Sequence, residues 1–251
     1  MTPARILIIA GSDSGGGAGI QADLKTVTLL GGFAMTAITA ITAQNTLGVQ
    51  GVHPIPTDMV LAQMESCISD IGVDAVKIGM IGSAQTAMAV AERLTVLDGV
   101  PIVFDPVMVA TSGSLLADAD TIAAFHKLMA IATLVTPNIP ELAALGGEAI
   151  AARFGTHVLA KGGHGEGVML TDRLIGPHGV AETWSDARID TPHTHGTGCT
   201  MASAIATGLG QGMALPDAIT RARDYVRSAL KLAPGFGGGH GPMGAPFTFH
   251  A

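Results

Sequence analysis

A glycine-rich segment near the C-terminal end, THGTGCT at residues 194–200, leads directly into an apolar stretch that is typical of a helix. Glycines let a ligand approach the backbone closely, and the first N–H groups of a helix have no partner within it. A phosphate or a developing anion would be stabilised there by these donors and by the helix dipole. The thiol of Cys199 should also ionise more readily in that field than a free cysteine. The alternative is a glycine N-cap followed by a buried cysteine.

A second glycine-rich loop, GGGAG at residues 15–19, follows Asp13 and Ser14 between a predicted strand and a predicted helix. Its spacing matches neither the dinucleotide-binding pattern G-x-G-x-x-G nor the P-loop, because no Lys-Ser/Thr pair follows the glycines. The loop therefore predicts close approach of a ligand to the backbone without naming the ligand.

Asn138 and Glu141 lie three residues apart at the start of a predicted helix. Both side chains could reach one Mg²⁺ ion through its water molecules, since that ion usually retains several. The same spacing is that of a capping box, with Asn138 as the N-cap and Glu141 as its reciprocal partner. Spacing alone favours capping.

Three further polar residues each end a predicted strand. Lys161 could balance phosphate charge as a point cation, or it could be an ordinary surface lysine. Asp105 could serve a metal or fix a loop. The amide of Gln44 offers both a donor and an acceptor, which suits the edge of an aminopyrimidine ring, but a capping role fits equally well.

Short apolar runs alternate with helical segments over about 160 residues, which predicts a mainly parallel sheet covered by helices on both faces. We expect one domain over residues 1–251 and a ligand cleft beyond the carboxyl ends of the strands. The predicted strands are 5–10, 35–42, 49–55, 75–78, 102–105, 134–136 and 157–161, followed by an edge hairpin at 168–171 and 180–184. The predicted helices are 19–30, 58–71, 84–97, 118–130, 140–145, 197–210 and 216–232, and the tail at 234–245 should be irregular.

The composition excludes several classes of function. A net charge of −7 and a pI near 5.6 argue against a large nucleic-acid surface, which needs clustered Lys and Arg. The two cysteines cannot form a disulfide framework, and Cys67 has the apolar neighbours of a core residue. The apolar run at 27–43 is broken by two glycines and carries four threonines, so no membrane span is expected. A cytoplasmic protein is the natural interpretation.

Together these segments resemble the hydroxymethylpyrimidine/phosphomethylpyrimidine kinases of thiamine biosynthesis, within the ribokinase-like superfamily. The matching pieces occur in the family's order and span residues 10–200. They are AGSDSGGGAGIQAD (10–23), TAQNT (42–46), KIGM (77–80), DPVM (105–108), TPN (136–138), KGGH (161–164) and THGTGCT (194–200).

The resemblance implies a three-layer α/β/α fold with a central, mostly parallel sheet, ATP with Mg²⁺, and a homodimer. It implies two successive transfers, first onto the hydroxymethyl group of 4-amino-5-hydroxymethyl-2-methylpyrimidine and then onto the resulting monophosphate. Small-molecule pyrimidine and ATP would be the partners. Implied catalytic residues are Gly196, Thr197, Gly198 and Cys199. Implied pyrimidine-binding residues are Gln44, Gly11, Asp23, Met80 and Val107. On the nucleotide side it implies Lys161, Asn138, Thr194 and Asp105, with Glu141 and Asn138 near Mg²⁺.

The chain departs from the family pattern between Glu141 and Asp190, where it is shorter than usual, which bears on nucleotide preference. Two rival functions stay open. One is pyridoxine or pyridoxal kinase activity, because that ring also carries a hydroxymethyl group. The other is a non-catalytic pyrimidine- or nucleotide-binding relative. Whether Cys199 removes the hydroxyl proton or only orients the hydroxyl is also open.

Overall fold

An eight-stranded sheet forms the centre of the computed structural model, which describes residues 2–110, 113, 115–164 and 167–246. The strand order is β10-β9-β8-β7-β6-β5-β1-β2, and every neighbouring pair is parallel except the two that involve β9. The strands are β1 (Arg5–Ala10), β2 (Phe33–Ile38), β5 (Ala75–Ile78), β6 (Ile102–Phe104), β7 (Leu134–Val135), β8 (His157–Ala160), β9 (Met169–Gly176) and β10 (Gly179–Ala187). Strands β3 (Ala40–Asn45) and β4 (Gly48–Pro54) form a separate antiparallel hairpin.

Helices pack on both faces of the sheet, as the alternation of apolar runs predicts. They are α1 (Gly19–Leu29), α2 (Thr57–Asp70), α3 (Ala84–Leu94), α4 (Ala119–Met129), α5 (Ile139–Leu145), α6 (Ala149–Phe154), α7 (Thr197–Gly210) and α8 (Leu215–Lys231). One core lies between the sheet and α2 to α6, and a second lies between the sheet and α1, α7 and α8. Successive residues of β1 point alternately into these two cores, so the predicted three layers are confirmed.

The predicted strand 35–42 is wrong as a single strand, because the chain turns at Thr39 and leaves the main sheet. Ser12 explains the turn: its N–H donates to Ala40 O at 2.9 Å, and the Thr42 hydroxyl donates to Ser12 O at 2.9 Å. These bonds draw the second half of the segment over the loop that follows β1. Residues 40–45 then pair with β4. Because the resemblance implies that Gln44 binds the pyrimidine, we call residues 40–54 the substrate-side hairpin.

Smaller differences concern the region after Glu141. Helix α6 was not predicted as an element of its own, and α5 and α6 are short, at 7 and 6 residues. The edge hairpin is longer than predicted, because strands β9 and β10 run for 8 and 9 residues. The tail after α8 contains no helix or strand up to residue 246, as expected. Among the described residues, no helix combines the length and apolar character needed to cross a membrane.

Candidate functional site

The residues that follow the central parallel strands lie side by side at one edge of the sheet. Asp105 N–H donates to Ile78 O at 2.8 Å, and Thr136 N–H donates to Phe104 O at 2.9 Å. Next along the edge, Lys161 N–H donates to Pro137 O at 3.0 Å. The register of the strands therefore brings together polar residues from distant parts of the chain, as the sequence predicted.

The segment 196–199 forms the first turn of α7 and spans this edge. Gly196 is the N-cap residue with φ 85° and ψ 7°, a left-handed conformation that favours glycine, and no side chain of a described residue caps the helix start. A Cβ atom on Gly196 would collide with the carbonyl of Gly17 in the glycine-rich loop. Among the described residues, the N–H groups of Gly198 and Cys199 have no hydrogen-bond partner and are thus left for a ligand. Thr194 closes the preceding turn, since its carbonyl accepts the Thr197 N–H at 3.3 Å.

A lysine–aspartate pair lies directly beneath Gly198. Lys161 Nζ is 2.9 Å from Asp105 Oδ1, which also accepts the Thr136 hydroxyl at 2.9 Å. A Cβ on Gly198 would be 3.2 Å from Asp105 Oδ2 and 3.4 Å from Lys161 Nζ. Burial tends to raise the pKa of Asp105, but the nearby Lys161 and Lys77 ammonium groups lower it below the usual value. The pair is therefore ionic and adjoins the turn at 196–199, which the sequence predicts to bind an anion (the anion-binding turn below).

Asn138 and Glu141 form the capping box at the start of α5. Asn138 N–H donates to Glu141 Oε2, and Glu141 N–H donates to Asn138 Oδ1, both at 2.9 Å. Burial raises the pKa of Glu141 to about 7, with Asp105 adding to this effect and Lys161 opposing it. Asn138 also pairs with Lys161 in an isolated parallel bridge. The capping interpretation is confirmed, and it places Glu141 beside the lysine–aspartate pair.

The donor set fits Mg²⁺ held largely through water. Among the described residues, no group of three His, Cys, Asp or Glu side chains is placed to hold a metal directly. Glu141 nevertheless offers a buried carboxylate whose charge is poorly compensated, as its raised pKa shows. A hydrated ion bound to phosphates needs only one or two such carboxylates.

Asp23 lies below the cleft and does not line it. Its side chain is fully buried, Oδ2 is 2.8 Å from Lys77 Nζ, and Oδ1 accepts the Ser203 hydroxyl at 2.7 Å. Although burial lowers the pKa of Lys77, the adjacent Asp23 and the negative groups nearby raise it further, so the ammonium stays charged. The implied contact of Asp23 with a pyrimidine is not what the structure shows, because both carboxylate oxygens are already used within the protein.

Cys199 does not ionise readily, contrary to the expectation from the helix dipole. Burial raises the pKa of its thiol to about 11, and Asp23 and Asp105 act in the same direction. Lys77 and the Gly19 N–H oppose this rise without overcoming it. The sequence predicted that Cys199 lies at a helix start, but it did not show that Asp23 and Asp105 lie close enough to raise the pKa of the thiol.

The remaining residues of the implied pyrimidine pocket follow strands β1, β5 and β6 or lie on the substrate-side hairpin. Met80 covers Gly11, where a Cβ atom would collide with the methionine methyl group. Val107 follows Asp105, and its N–H donates to Asp105 O at 2.9 Å. Gln44 lies on the substrate-side hairpin, with its Nε2 3.4 Å from His195 Nε2.

Sequence reasoning gave no role to His195 and Asp13, which join the two glycine-rich segments. His195 Nε2 is 2.8 Å from Asp13 Oδ2, and the carboxylate also accepts N–H groups from Gly15, Gly17 and Ala18. Burial tends to raise the pKa of Asp13, but these hydrogen bonds lower it overall. The position of Asp13 two residues before a glycine run was the signal that could have indicated its role. Its partner His195 could not be found in this way, because it lies 182 residues further along the chain.

Comparisons with known proteins agree with this geometry. A family model described as phosphomethylpyrimidine kinase matches residues 13–244. A hydroxymethylpyrimidine/phosphomethylpyrimidine kinase of Streptomyces coelicolor is 46% identical, over 97% of this chain and 94% of its own. The thiamine biosynthesis bifunctional protein ThiED of Geobacter sulfurreducens is 47% identical over 95% of this chain, which spans about half (51%) of that protein's length.

Among solved structures, the ADP complex of Bacillus subtilis pyridoxal kinase superimposes with a TM-score of 0.89 at 32% identity. The alignment covers 97% of this chain and 98% of that one. The match of the family model over most of the sequence, together with the high identity to the Streptomyces enzyme, settles the family. This chain belongs to the phosphomethylpyrimidine kinase family.

Proposed function

We propose that the protein transfers the γ-phosphoryl group of ATP to 4-amino-5-hydroxymethyl-2-methylpyrimidine, and then a second one to the monophosphate, as a step in thiamine biosynthesis. One observation carries this proposal: the turn 196–199 contacts both halves of the cleft. Gly196 rests on Gly17 of the glycine-rich loop at 15–19, and Gly198 lies over the Asp105–Lys161 pair. A phosphoryl group held at this turn would thus face a cation on one side and the pyrimidine pocket on the other.

Phosphoryl transfer depends on positioning and charge neutralisation more than on covalent chemistry by the protein. The N–H groups at the start of α7 receive the phosphoryl oxygens, and Lys161 adds positive charge beside them. Asp105 and Thr136 hold the lysine in place. Glu141, with Asn138, would hold hydrated Mg²⁺, and the ion would neutralise charge on the phosphates. The substrate oxygen bonds to the γ-phosphorus, the bond from that phosphorus to the ADP oxygen breaks, and the hydroxyl proton passes to solvent water.

Cys199 acts in this proposal as an orienting group for the substrate hydroxyl. A thiol with its pKa raised to about 11 is protonated near neutral pH and cannot accept a proton as a thiolate. A loose transition state with little early proton removal tolerates this. The sulfur instead accepts or donates a weak hydrogen bond to the hydroxyl.

Phosphorus-31 spectra of a reaction containing the hydroxymethylpyrimidine, ATP and Mg²⁺ test the function directly. We expect a monophosphate resonance, followed by that of the diphosphate. Monophosphate alone would restrict the activity to the first transfer, and ATP that stays intact while the pyrimidine binds would leave a non-catalytic binding protein.

Pyridoxal phosphorylation is the second candidate, because the pyridoxal kinase of Bacillus subtilis superimposes so closely on this chain. The aminopyrimidine remains the better substrate for a pocket with Gln44, since an amide side chain can both donate to and accept from its edge. Comparison of kcat/KM for the two alcohols under one set of conditions separates the candidates.

We further propose that the protein works as a homodimer, as the family resemblance implies, and in the cytoplasm, as its two separate cysteines indicate. Sedimentation equilibrium of the purified protein tests the first part, and a mass of about 25.3 kDa would identify a monomer instead.

A further inference from the structure

We propose that the glycine-rich tail, residues 235–244, is a positioning element for the pyrimidine pocket, and that Gly239 and Gly241 are its positioning residues. We call this segment the C-terminal strap. It contacts the substrate-side hairpin and the segment before the anion-binding turn, and it holds them in register. This inference rests on the proposed function, because it assigns the strap to the substrate side of that site.

Contacts with the hairpin are made at its turn. The Gly239 N–H donates to the Thr46 hydroxyl at 3.4 Å, and a Cβ atom on Gly239 would collide with the Thr46 carbonyl. Gly237 lies equally close to the Thr46 side chain. Only glycine lets the strap approach the hairpin turn this closely.

Contacts with the segment before α7 are made two to three residues later. His195 N–H donates to Gly241 O at 3.2 Å, and His195 forms an isolated parallel bridge with Pro242. A Cβ atom on Gly241 would collide with Nδ1 of His193. The strap thus lies against the residue that immediately precedes Gly196.

Both ends of the strap are tied to α8. The segment begins a few residues after the helix ends at Lys231, and it returns at Gly244, whose N–H donates to Ala229 O at 3.0 Å. A Cβ atom on Gly244 would collide with the Leu232 carbonyl. A segment anchored at both ends can transmit a displacement at one contact to the others, whereas a frayed terminus cannot.

Gln44 is held between the strap and the glycine-rich loop. The Ser14 hydroxyl accepts the Gln44 N–H and donates to the Gln44 carbonyl, both at 2.8 Å. Thr46, two residues further on, carries the contact with Gly239. The Gln44 side chain extends toward His195, which the strap holds from the other side. A shift of Thr46 would therefore move Gln44 relative to the anion-binding turn.

Alanine substitutions at two neighbouring glycines provide a matched test. Neither Gly238 nor Gly239 is at positive φ, so both tolerate alanine in backbone terms. On Gly238 a Cβ atom meets nothing closer than the Leu47 side chain at 3.8 Å, whereas on Gly239 it collides with the backbone of Thr46. We expect Gly239→Ala to raise KM for the hydroxymethylpyrimidine about tenfold or more, because small misplacements in a site are costly.

The decisive measurement is whether KM rises for the pyrimidine while KM for ATP stays unchanged. In Gly239→Ala, KM for ATP should stay within about twofold of the parent value, since the contacts that Gly239 makes are with Thr46 of the substrate-side hairpin. Gly238→Ala should match the parent protein in both constants. Equal constants for the two variants, or an equal rise in both KM values for Gly239→Ala, would overturn the proposal.

Amide hydrogen exchange of residues 40–54 tests the strap without any substrate. We expect faster exchange in Gly239→Ala than in Gly238→Ala, because the hairpin loses its support. If the parent protein phosphorylates nothing, the proposed function fails, yet hydrogen exchange still decides the role of the strap.

If Gly239→Ala does not fold, Thr46→Ala replaces it. This variant should raise KM for the pyrimidine about threefold, because one hydrogen bond is lost. An unchanged KM in Thr46→Ala would also contradict the proposal.

Discussion

Two lysine–aspartate pairs lie below the same helix start, and they differ in access to the cleft. Lys77 and Asp23 are 2.8 Å apart with both side chains fully buried, whereas Lys161 and Asp105 are 2.9 Å apart with 16% of the lysine side chain exposed. Each pair has a hydroxyl donor on its aspartate, Ser203 in the first and Thr136 in the second. Geometry and chemistry are therefore nearly equal, and exposure alone separates them.

This difference in exposure determines which of the two lysines can interact with a ligand in the cleft. The sealed pair has every oxygen satisfied within the protein, so its contribution is to join α1, β5 and α7. The open pair keeps its ammonium group at the edge of the cleft, where phosphate charge can reach it. Removal of each lysine should consequently affect a different property.

The largest effect is expected on stability, from Lys77→Met. Removal of one partner from a buried ion pair leaves an uncompensated charge, which costs about 3–5 kcal/mol in free energy of unfolding. Urea denaturation followed by circular dichroism measures it. A loss no greater than that of Lys161→Met would remove the distinction between the two pairs.

Lys161→Met should instead reduce turnover, by about 100-fold or more, because one preorganised electrostatic contact to the phosphoryl group is lost. The partial exposure of the side chain predicts a smaller loss of stability than at Lys77. Initial rates with ADP detection, alongside urea denaturation, measure both properties. KM for the pyrimidine should stay within about twofold. Normal turnover in a folded Lys161→Met protein would contradict the role of this lysine.

Much of this arrangement could be predicted from the sequence, because it depends on local patterns. Apolar runs interrupted by glycine predicted β1 and β5 at their observed bounds. Polar residues that end parallel strands must meet at one edge, which brought Asp105 and Lys161 to the same place. The helix start at Gly196 also followed from its glycines and the apolar run behind it.

What could not be predicted depends on contacts between residues distant in the chain. Lys77 lies within the buried strand AVKI, so the sequence indicates that this charge needs a partner. It does not show that the partner is Asp23, which lies 54 residues away. The raised pKa of Cys199 has the same origin, since burial and the carboxylates of Asp23 and Asp105 come from other elements. The tail looked irregular because its order comes from Thr46 and His193 and not from its own pattern.

Cys199 lies close to both pairs, and Cys199→Ala should reduce turnover by no more than about tenfold. A general base would contribute about 10²–10⁴, so the two roles give separable outcomes. Near pH 8.5, where a free thiol ionises, the turnover of the parent protein should show no step that Cys199→Ala abolishes. A loss beyond about 100-fold, with structure intact by circular dichroism, would restore Cys199 as the base.

The raised pKa of the Cys199 thiol also predicts the direction in which the free energy of unfolding changes with pH. The folded protein retains the Cys199 proton up to a pKa of about 11, while the unfolded chain releases it near the ordinary value of about 8.5. The resulting stabilisation is complete below the unfolded pKa and is lost as the pH rises through the folded one. Urea midpoints of the parent protein should therefore fall more steeply between pH 8.5 and 11 than those of Cys199→Ala, and parallel curves would contradict the raised pKa.

The smallest effect is expected at a third ion pair, Arg173 with Glu148, which lies on the surface with about two fifths of each side chain exposed. Exposed pairs contribute at most about 1 kcal/mol, because solvent screens the charges and both side chains lose rotamer freedom. Glu148→Gln should change the free energy of unfolding by less than that, with unchanged turnover. If its cost approached that of Lys77→Met, burial would not be what distinguishes these pairs, and the division between a structural and a functional lysine would lose its physical basis.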